Sequence, residues 1–297
     1  MNHKIIPYVL LVFLLGLCSQ LMGQDKEYVY QTFKDTRVIN TYAVETLQKR
    51  HFDIRITHRF GDFINGWTFQ NAWSTFLGLE NAADVSFGLE YGITNNLTVG
   101  ISRTKGFGPL KSNFIGMVKY KTLTQTKDNS MPITLTFAAT TSLSTMWASA
   151  NLESLASFPK PFVHRLSYSA QVHVARKFGD VFALQLSPTF VWRNLVEHFD
   201  QNYSVGVGLC MRLQVSKLLG IILDANLPID AYRWNPDNGF YFPLGIGFEF
   251  DTGGHVFQSN LTNAAGIEPT DYMPYTTLDW LQGQFRIGFT ISRAFKV

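Results

Sequence analysis

Asp84-Val85-Ser86-Phe87-Gly88-Leu89-Glu90-Tyr91-Gly92-Ile93 alternates without a slip, with Val85, Phe87, Leu89, Tyr91 and Ile93 on one parity and Ser86, Gly88, Glu90 and Gly92 on the other. Side chains of a strand point alternately to its two faces, so this segment presents one apolar, aromatic face and one that is small, polar or charged. The period recurs along the chain. Leu166, Tyr168, Ala170, Val172 and Val174 oppose Ser167, Ser169, Gln171 and His173; Tyr203 to Leu213 and Phe240 to Asp251 repeat the pattern, as does the shorter Leu97 to Ser102. Weaker alternation runs through Phe52–Phe60, Phe114–Tyr120, Ile133–Ala139, Phe182–Trp192, Leu219–Leu227, His255–Leu261 and Phe285–Ile291. The count is about twelve strands, near the ten-residue length that a tilted membrane strand needs.

A soluble β-sandwich also alternates, but it buries its aromatics between two sheets and keeps polar side chains outside. Here the non-aromatic face is rich in Gly and Ser and carries internal charge, which leaves too little polar surface for a soluble exterior. The connections argue the same way. Thr94–Asn96, Gly179-Asp180, Ser216-Lys217 and Thr252–Gly254 are tight, with Thr124–Met131 somewhat longer. Between them fall Gly61–Ala83, Lys105–Lys111, Ser142–Val163, Leu195–Asn202, Pro228–Asn238 and Ala264–Leu281. Short turns alternating with long loops are the rhythm of a transmembrane, antiparallel, up-and-down β-barrel, with both termini expected on the periplasmic side. Residues 51–297 form the expected barrel, and residues 24–50, polar and without sustained alternation, form an N-terminal segment at the periplasmic mouth or a plug in the lumen.

Residues 1–23 read as a signal peptide: Lys4, an apolar run from Ile5 to Leu17, then small and polar residues ending in Gly23. Leu17 before Cys18 disfavours a lipid-attachment site, and cleavage is expected before Gln24. The mature chain then keeps Cys210 alone, which excludes an intrachain disulfide. A net charge of +3 with 16% charged residues gives neither a nucleic-acid surface nor a disordered tail. The closing stretch Gln284–Val297 ends near Phe295, an aromatic terminus of the kind read by barrel-assembly machinery, although Lys296-Val297 follow it and Arg293 breaks the apolar parity.

Thr32-Phe33-Lys34-Asp35-Thr36-Arg37-Val38-Ile39-Asn40, Asn81-Ala82-Ala83-Asp84, Phe87–Gly92, Ala175–Phe178, Leu186-Ser187-Pro188, Gly253–Gln258, Gly288-Phe289 and Ile291-Ser292-Arg293 together resemble an uncharacterised outer-membrane barrel family of Bacteroidetes-type bacteria, a domain of unknown function. The resemblance spans nearly the whole mature chain. It implies a β-barrel in the bacterial outer membrane, and it carries over no catalytic or binding residue.

The face opposite the aromatics gathers Asp53, Arg55, Arg59, Glu90, Lys119, Lys121, Arg193, Arg212, Asp224, Glu249, Asp251 and Arg286. These are the candidate lumen residues, forming either a compensated internal network or a polar conduit whose basic excess favours anions. Gly206, Gly208, Gly245 and Gly247 sit inside strands, where they leave room in the lumen and do not form phosphate loops. No Cys and His cluster has metal spacing, and no cofactor is expected. A lipid hydrolase on the barrel face is the remote alternative. His255 and Ser259 share a parity, but four residues along a strand span roughly 13 Å, beyond hydrogen-bond reach. The expected partners are outer-membrane lipid, the assembly machinery and a small solute. The expected function is passive transport or binding of such a solute, with a sealed structural or surface-interaction barrel as the alternative.

Overall fold

The computed structural model describes residues 27–64 and 73–297, so the expected signal peptide lies outside the described residues. The chain forms twelve antiparallel strands: β1 (His51–Asp62), β2 (Ala82–Gly92), β3 (Leu97–Thr104), β4 (Asn113–Leu123), β5 (Thr134–Ser144), β6 (Leu166–Phe178), β7 (Phe182–Arg193), β8 (Tyr203–Gln214), β9 (Leu219–Pro228), β10 (Leu244–Asp251), β11 (Val256–Thr262) and β12 (Arg286–Lys296). Each pairs with its sequence neighbours, and β1 closes the ring on β12 in a register running from His51 opposite Lys296 to Arg59 opposite Gly288. Closure leaves no strand edge, so every wall residue can find its ladder bonds inside a membrane where water cannot supply them. Short helices occupy two of the long loops: α1 (Ala231–Trp234) between β9 and β10, and α2 (Pro269–Tyr275) between β11 and β12.

Parity becomes inside and outside. Phe87, Leu89, Ile101, Phe114, Ile246 and Phe248 stand exposed on the outer wall, while Glu90, Arg212 and Glu249 on the opposite parity are buried. An exterior of large apolar side chains would be costly in water and is at home in acyl chains. Two of the strand ends that differ from the alternation have a clear local cause. β5 continues to Ser144, because its later residues are Thr and Ser on both faces and hide the period from a hydrophobic reading. β10 begins at Leu244 and not at Phe240. Pro243 there has no N–H to give a ladder, and Tyr241 donates instead to the Thr276 carbonyl of another loop.

The interior is filled by the chain itself from both ends. Residues preceding β1 enter past the β4–β5 turn, where Val29 N–H donates to the Gln125 carbonyl at 2.8 Å, and Thr32–Leu47 then lie almost wholly buried within the ring. From the long-loop end, the β11–β12 connection folds inward, so that Ala264, Ile267, Tyr272 and Met273 are buried too. Two small apolar clusters mark these entries. Phe33, Val38, Ile39, Ala43 and Val44 pack on wall residues Ala175, Ala183, Cys210 and Ile222, while Ala264, Tyr272 and Met273 pack on Val191. Wall glycines make the space. A Cβ on Gly245 would lie 3.0 Å from Ile39, and one on Gly206 only 2.4 Å from Met273.

Candidate functional site

Charged side chains converge in the lumen, and all twelve candidate residues lie on its wall. Ten are buried; Lys121 and Asp251 are half-buried near the short-turn end. The structure adds a wall acid to these candidates. Asp84, the third residue of β2 and on the inward parity of Ser86 and Glu90, is fully buried opposite Arg59.

Most wall charges are used to hold the N-terminal segment. Asp224 accepts from three consecutive backbone N–H groups, Ile39 at 3.2 Å, Asn40 at 2.7 Å and Thr41 at 2.7 Å, and from the Thr41 hydroxyl at 2.9 Å. Three amides converging on one carboxylate oxygen make a concave anion site, here filled by the barrel's own side chain. Arg59 donates to the Ile39 carbonyl and to Asn40 Oδ1, at 3.0 and 2.7 Å. Arg55 grips Asp35 through both terminal nitrogens and lies 3.3 Å from Asp53 and 4.0 Å from Glu90. The Lys119 ammonium donates to the Thr36 and Glu45 carbonyls, and Lys121 faces the Glu45 carboxylate at 4.0 Å. Gln185 both accepts from Val44 N–H and donates to the Tyr42 carbonyl, each at 2.8 Å. Arg212 pairs with Glu249 on the wall, and Lys34 of the segment reaches Asp251 at 3.1 Å.

The two inward segments meet in the middle. Arg37 donates to Glu268 at 2.8 Å and to the Ile267 carbonyl at 3.3 Å, and Tyr42 hydroxyl donates to the same carboxylate at 3.3 Å. Burial works against the Arg37 charge, but Glu268 and Tyr42 outweigh it and hold the guanidinium protonated above its ordinary value. Toward the loop end, Asp271 of α2 accepts from Phe107 and Gly108 N–H of the β3–β4 loop, at 2.8 and 2.7 Å. Burial, with the Asp84 charge nearby, pushes this carboxyl up to about 7. Asp200 of the β7–β8 loop joins the end of β7 to the β9–β10 loop by accepting from Arg193 at 2.8 Å and from Arg233 at 2.6 Å. Its burial alone would raise the carboxyl, yet the hydrogen bonds and charges of the two arginines hold it below the usual range. Arg193 also donates to Tyr275 hydroxyl at 2.8 Å, tying the inward loop to the wall, while Arg286 donates to the Phe60 carbonyl at 3.3 Å.

Between the N-terminal segment and the short-turn end lies a cavity of about 1250 Å³, lined by Tyr28, Lys34, Glu45, Lys121, Asp251 and His255 among others. Two voids deeper in the barrel measure about 20 Å³ each, room for a single water. No group of three or more His, Cys, Asp or Glu among the described residues is arranged to hold a metal. A Ser–His contact does occur where the sequence reading did not place one. His173 Nδ1 lies 2.9 Å from Ser187 Oγ, but both are wholly buried, and Gln185 bonds Ser187 as well. This is a wall network with no access for a substrate.

Residues 33–295 match a family described as a membrane-bound β-barrel domain of unknown function, DUF5777. The chain belongs to that family. No curated protein matches the sequence. Among solved structures, the NanC porin shares 9% identity at a TM-score of 0.46, with 83% of this chain and all of that one covered. The Acinetobacter baumannii outer membrane protein Omp33 shares 11% at 0.40, covering 84% of this chain and 99% of its own. A Rhodopseudomonas blastica porin variant shares 12% at 0.31, over 72% of this chain and 56% of that one.

Proposed function

We propose that this member of the family is an outer-membrane barrel for a small solute that rests closed, its lumen stoppered by its own Thr32–Leu47 and by the inward β11–β12 loop. The observation that carries the reading is the polarity of the contact. The segment's backbone is held by Asp224, Arg59, Lys119 and Gln185, side chains that would line a wet passage once the segment moved. The cavity of about 1250 Å³ on the short-turn side is the vestibule of that passage, and the short-turn end, where β1 begins and β12 ends, faces the periplasm.

The same geometry supports an anionic solute. Counted on the wall alone, the seven candidate bases face six acids once Asp84 is included, so the basic excess is slight. Asp35 and Glu45, partners of Arg55 and Lys121, leave with the segment, but so do Lys34 and Arg37, partners of Asp251 and Glu268, so the anion preference rests on the wall excess. Planar-bilayer recording of the mature chain and of a variant lacking residues 24–46 tests both points. The full chain is expected to stay near baseline, and the shortened one to conduct with an anion-selective reversal potential across a salt gradient. Cation selectivity would remove the anion argument. Silence from both proteins would favour a sealed barrel whose loops do the recognising, a reading that the four bonds on Asp224 support.

A further inference from the structure

The loops at the long-loop end are not charged alike. The β3–β4 and β5–β6 connections carry Lys105, Lys111, Lys160 and Arg165 against one acid, Glu153. The other four connections at that end hold eight acids, among them Glu197, Asp237 and Asp279, against the single base Arg233. The basic half crowns four adjacent strands, β3 to β6.

Directly beneath it, on the outer wall, sits a further cation. Arg103 shares the outward parity of Ile101, one residue from the end of β3, and lies over the Phe114 ring at 4.8 Å. Its Nη1 is buried without a hydrogen-bond partner among the described residues. Lys105 and Lys111 are exposed two and eight residues further along the chain. Below Arg103 the wall is shallow. Gly116, opposite Ile101, would carry a Cβ that meets nothing within 4 Å, and Thr141, Ala139 and Ala170 continue the small outward side chains across β5 and β6. Phe87 and Ile101 on one side and Tyr168 and Phe190 on the other stand higher.

We infer that this sector binds a phosphate-bearing lipid of the surrounding membrane. Its headgroup is held by Arg103, Lys105 and Lys111, and an acyl chain lies in the furrow over Gly116. The charge complementarity selects an anionic headgroup, because Arg and Lys at a membrane boundary keep their stems in the apolar layer and their charges among the phosphates. The depth of Arg103, level with aromatic wall residues and not at a loop tip, selects a lipid over a soluble anion. This inference stands whether or not the lumen ever opens.

The test is native mass spectrometry of the full mature chain in micelles doped with phosphatidylglycerol, with zwitterionic, net-neutral phosphatidylcholine as the comparison and inorganic phosphate as competitor. Wild type should retain phosphatidylglycerol selectively. The triple variant Arg103→Gln, Lys105→Gln, Lys111→Gln should weaken retention by roughly 100-fold, at about fivefold for each charge near the surface. Gly116→Leu, which fills the furrow without altering charge, should weaken it too, and Lys217→Gln at the opposite end should not. Heat-modifiable migration checks that each variant is folded, and Arg103→Lys, which keeps the charge, should retain lipid if the triple variant fails to fold. Equal retention by the triple variant or by Gly116→Leu, an equal loss in Lys217→Gln, or displacement by inorganic phosphate at matched concentration would overturn the inference.

Discussion

The two segments that fill the barrel are anchored in different ways. Thr32–Leu47 bond chiefly to the wall: Asp224, Gln185, Arg59, Lys119, Thr136 and Thr98 come from strands spread around the ring. The β11–β12 loop bonds more to other mobile-length connections and to the first segment, through Asp271 to the β3–β4 loop and through Glu268 to Arg37. A wall strand cannot yield without breaking its ladder, whereas a loop can shift at little cost. On the proposed reading, the N-terminal segment is the fixed stopper and the inward loop the looser one.

Removing the central wall anchor should have the largest effect. Asp224→Ala leaves three buried N–H groups without their acceptor, a loss of roughly 3 to 9 kcal/mol at 1 to 3 kcal/mol each. Limited proteolysis should then cut within residues 32–47, and a segment as resistant as in wild type would show that the remaining wall contacts suffice. Next comes the pH response of the looser stopper. The folded-state pKa of Asp271 is raised, so its contribution is fully present below pH about 4 and is lost as pH rises through about 7. The swing is on the order of 4 kcal/mol. Exchange of the Phe107 and Gly108 amides, corrected for intrinsic rate, should quicken from pH 5 to 8 in wild type and stay flat in Asp271→Asn.

Uncoupling the two stoppers is a smaller change. Glu268→Gln keeps the shape but loses the charge opposite Arg37, costing about 2 to 3 kcal/mol. The loop should become protease-sensitive while residues 32–47 stay protected; joint release would show that the two segments act as one body. The smallest effect is expected at the clasp between the β7–β8 and β9–β10 loops. Asp200 has a depressed pKa, so its contribution is present above its ordinary value near 4 and fades as pH falls through the lower folded one. After solvent screening, about 1 kcal/mol is at stake. A shallow acid-side loss in thermal midpoint, absent in Asp200→Asn, would register it.

The wall was readable in the sequence because inside and outside differ at every second residue. β7, β8 and β9 end within one residue of where the alternation of Phe182–Trp192, Tyr203–Leu213 and Leu219–Leu227 stops. Asp84 shares the inward parity of Ser86, Gly88 and Glu90, so the same alternation places it on the wall. The filling of the lumen was harder to read. Phe33, Val38, Ile39 and Val44 have no regular spacing, since their burial is set by the curved wall around them and not by a repeating backbone. Ala264-Ala265-Gly266-Ile267, a small apolar run inside a long loop, was the available sign that this connection turns inward. The partners of the wall charges lie up to 226 positions away in sequence, as for Arg286 and Phe60, and no local pattern encodes that distance.

The pairing of β1 with β12 has a consequence for how the protein is made. The seam joins the two ends of the barrel sequence, so the ring stays open until its last strand is in place, and it closes against the largest loop entropy in the chain. Residues 32–47 immediately precede one lip of that seam. They can be laid against the exposed interior while the ring is still a sheet, and closure then encloses them, so the stopper never has to be threaded through a finished mouth.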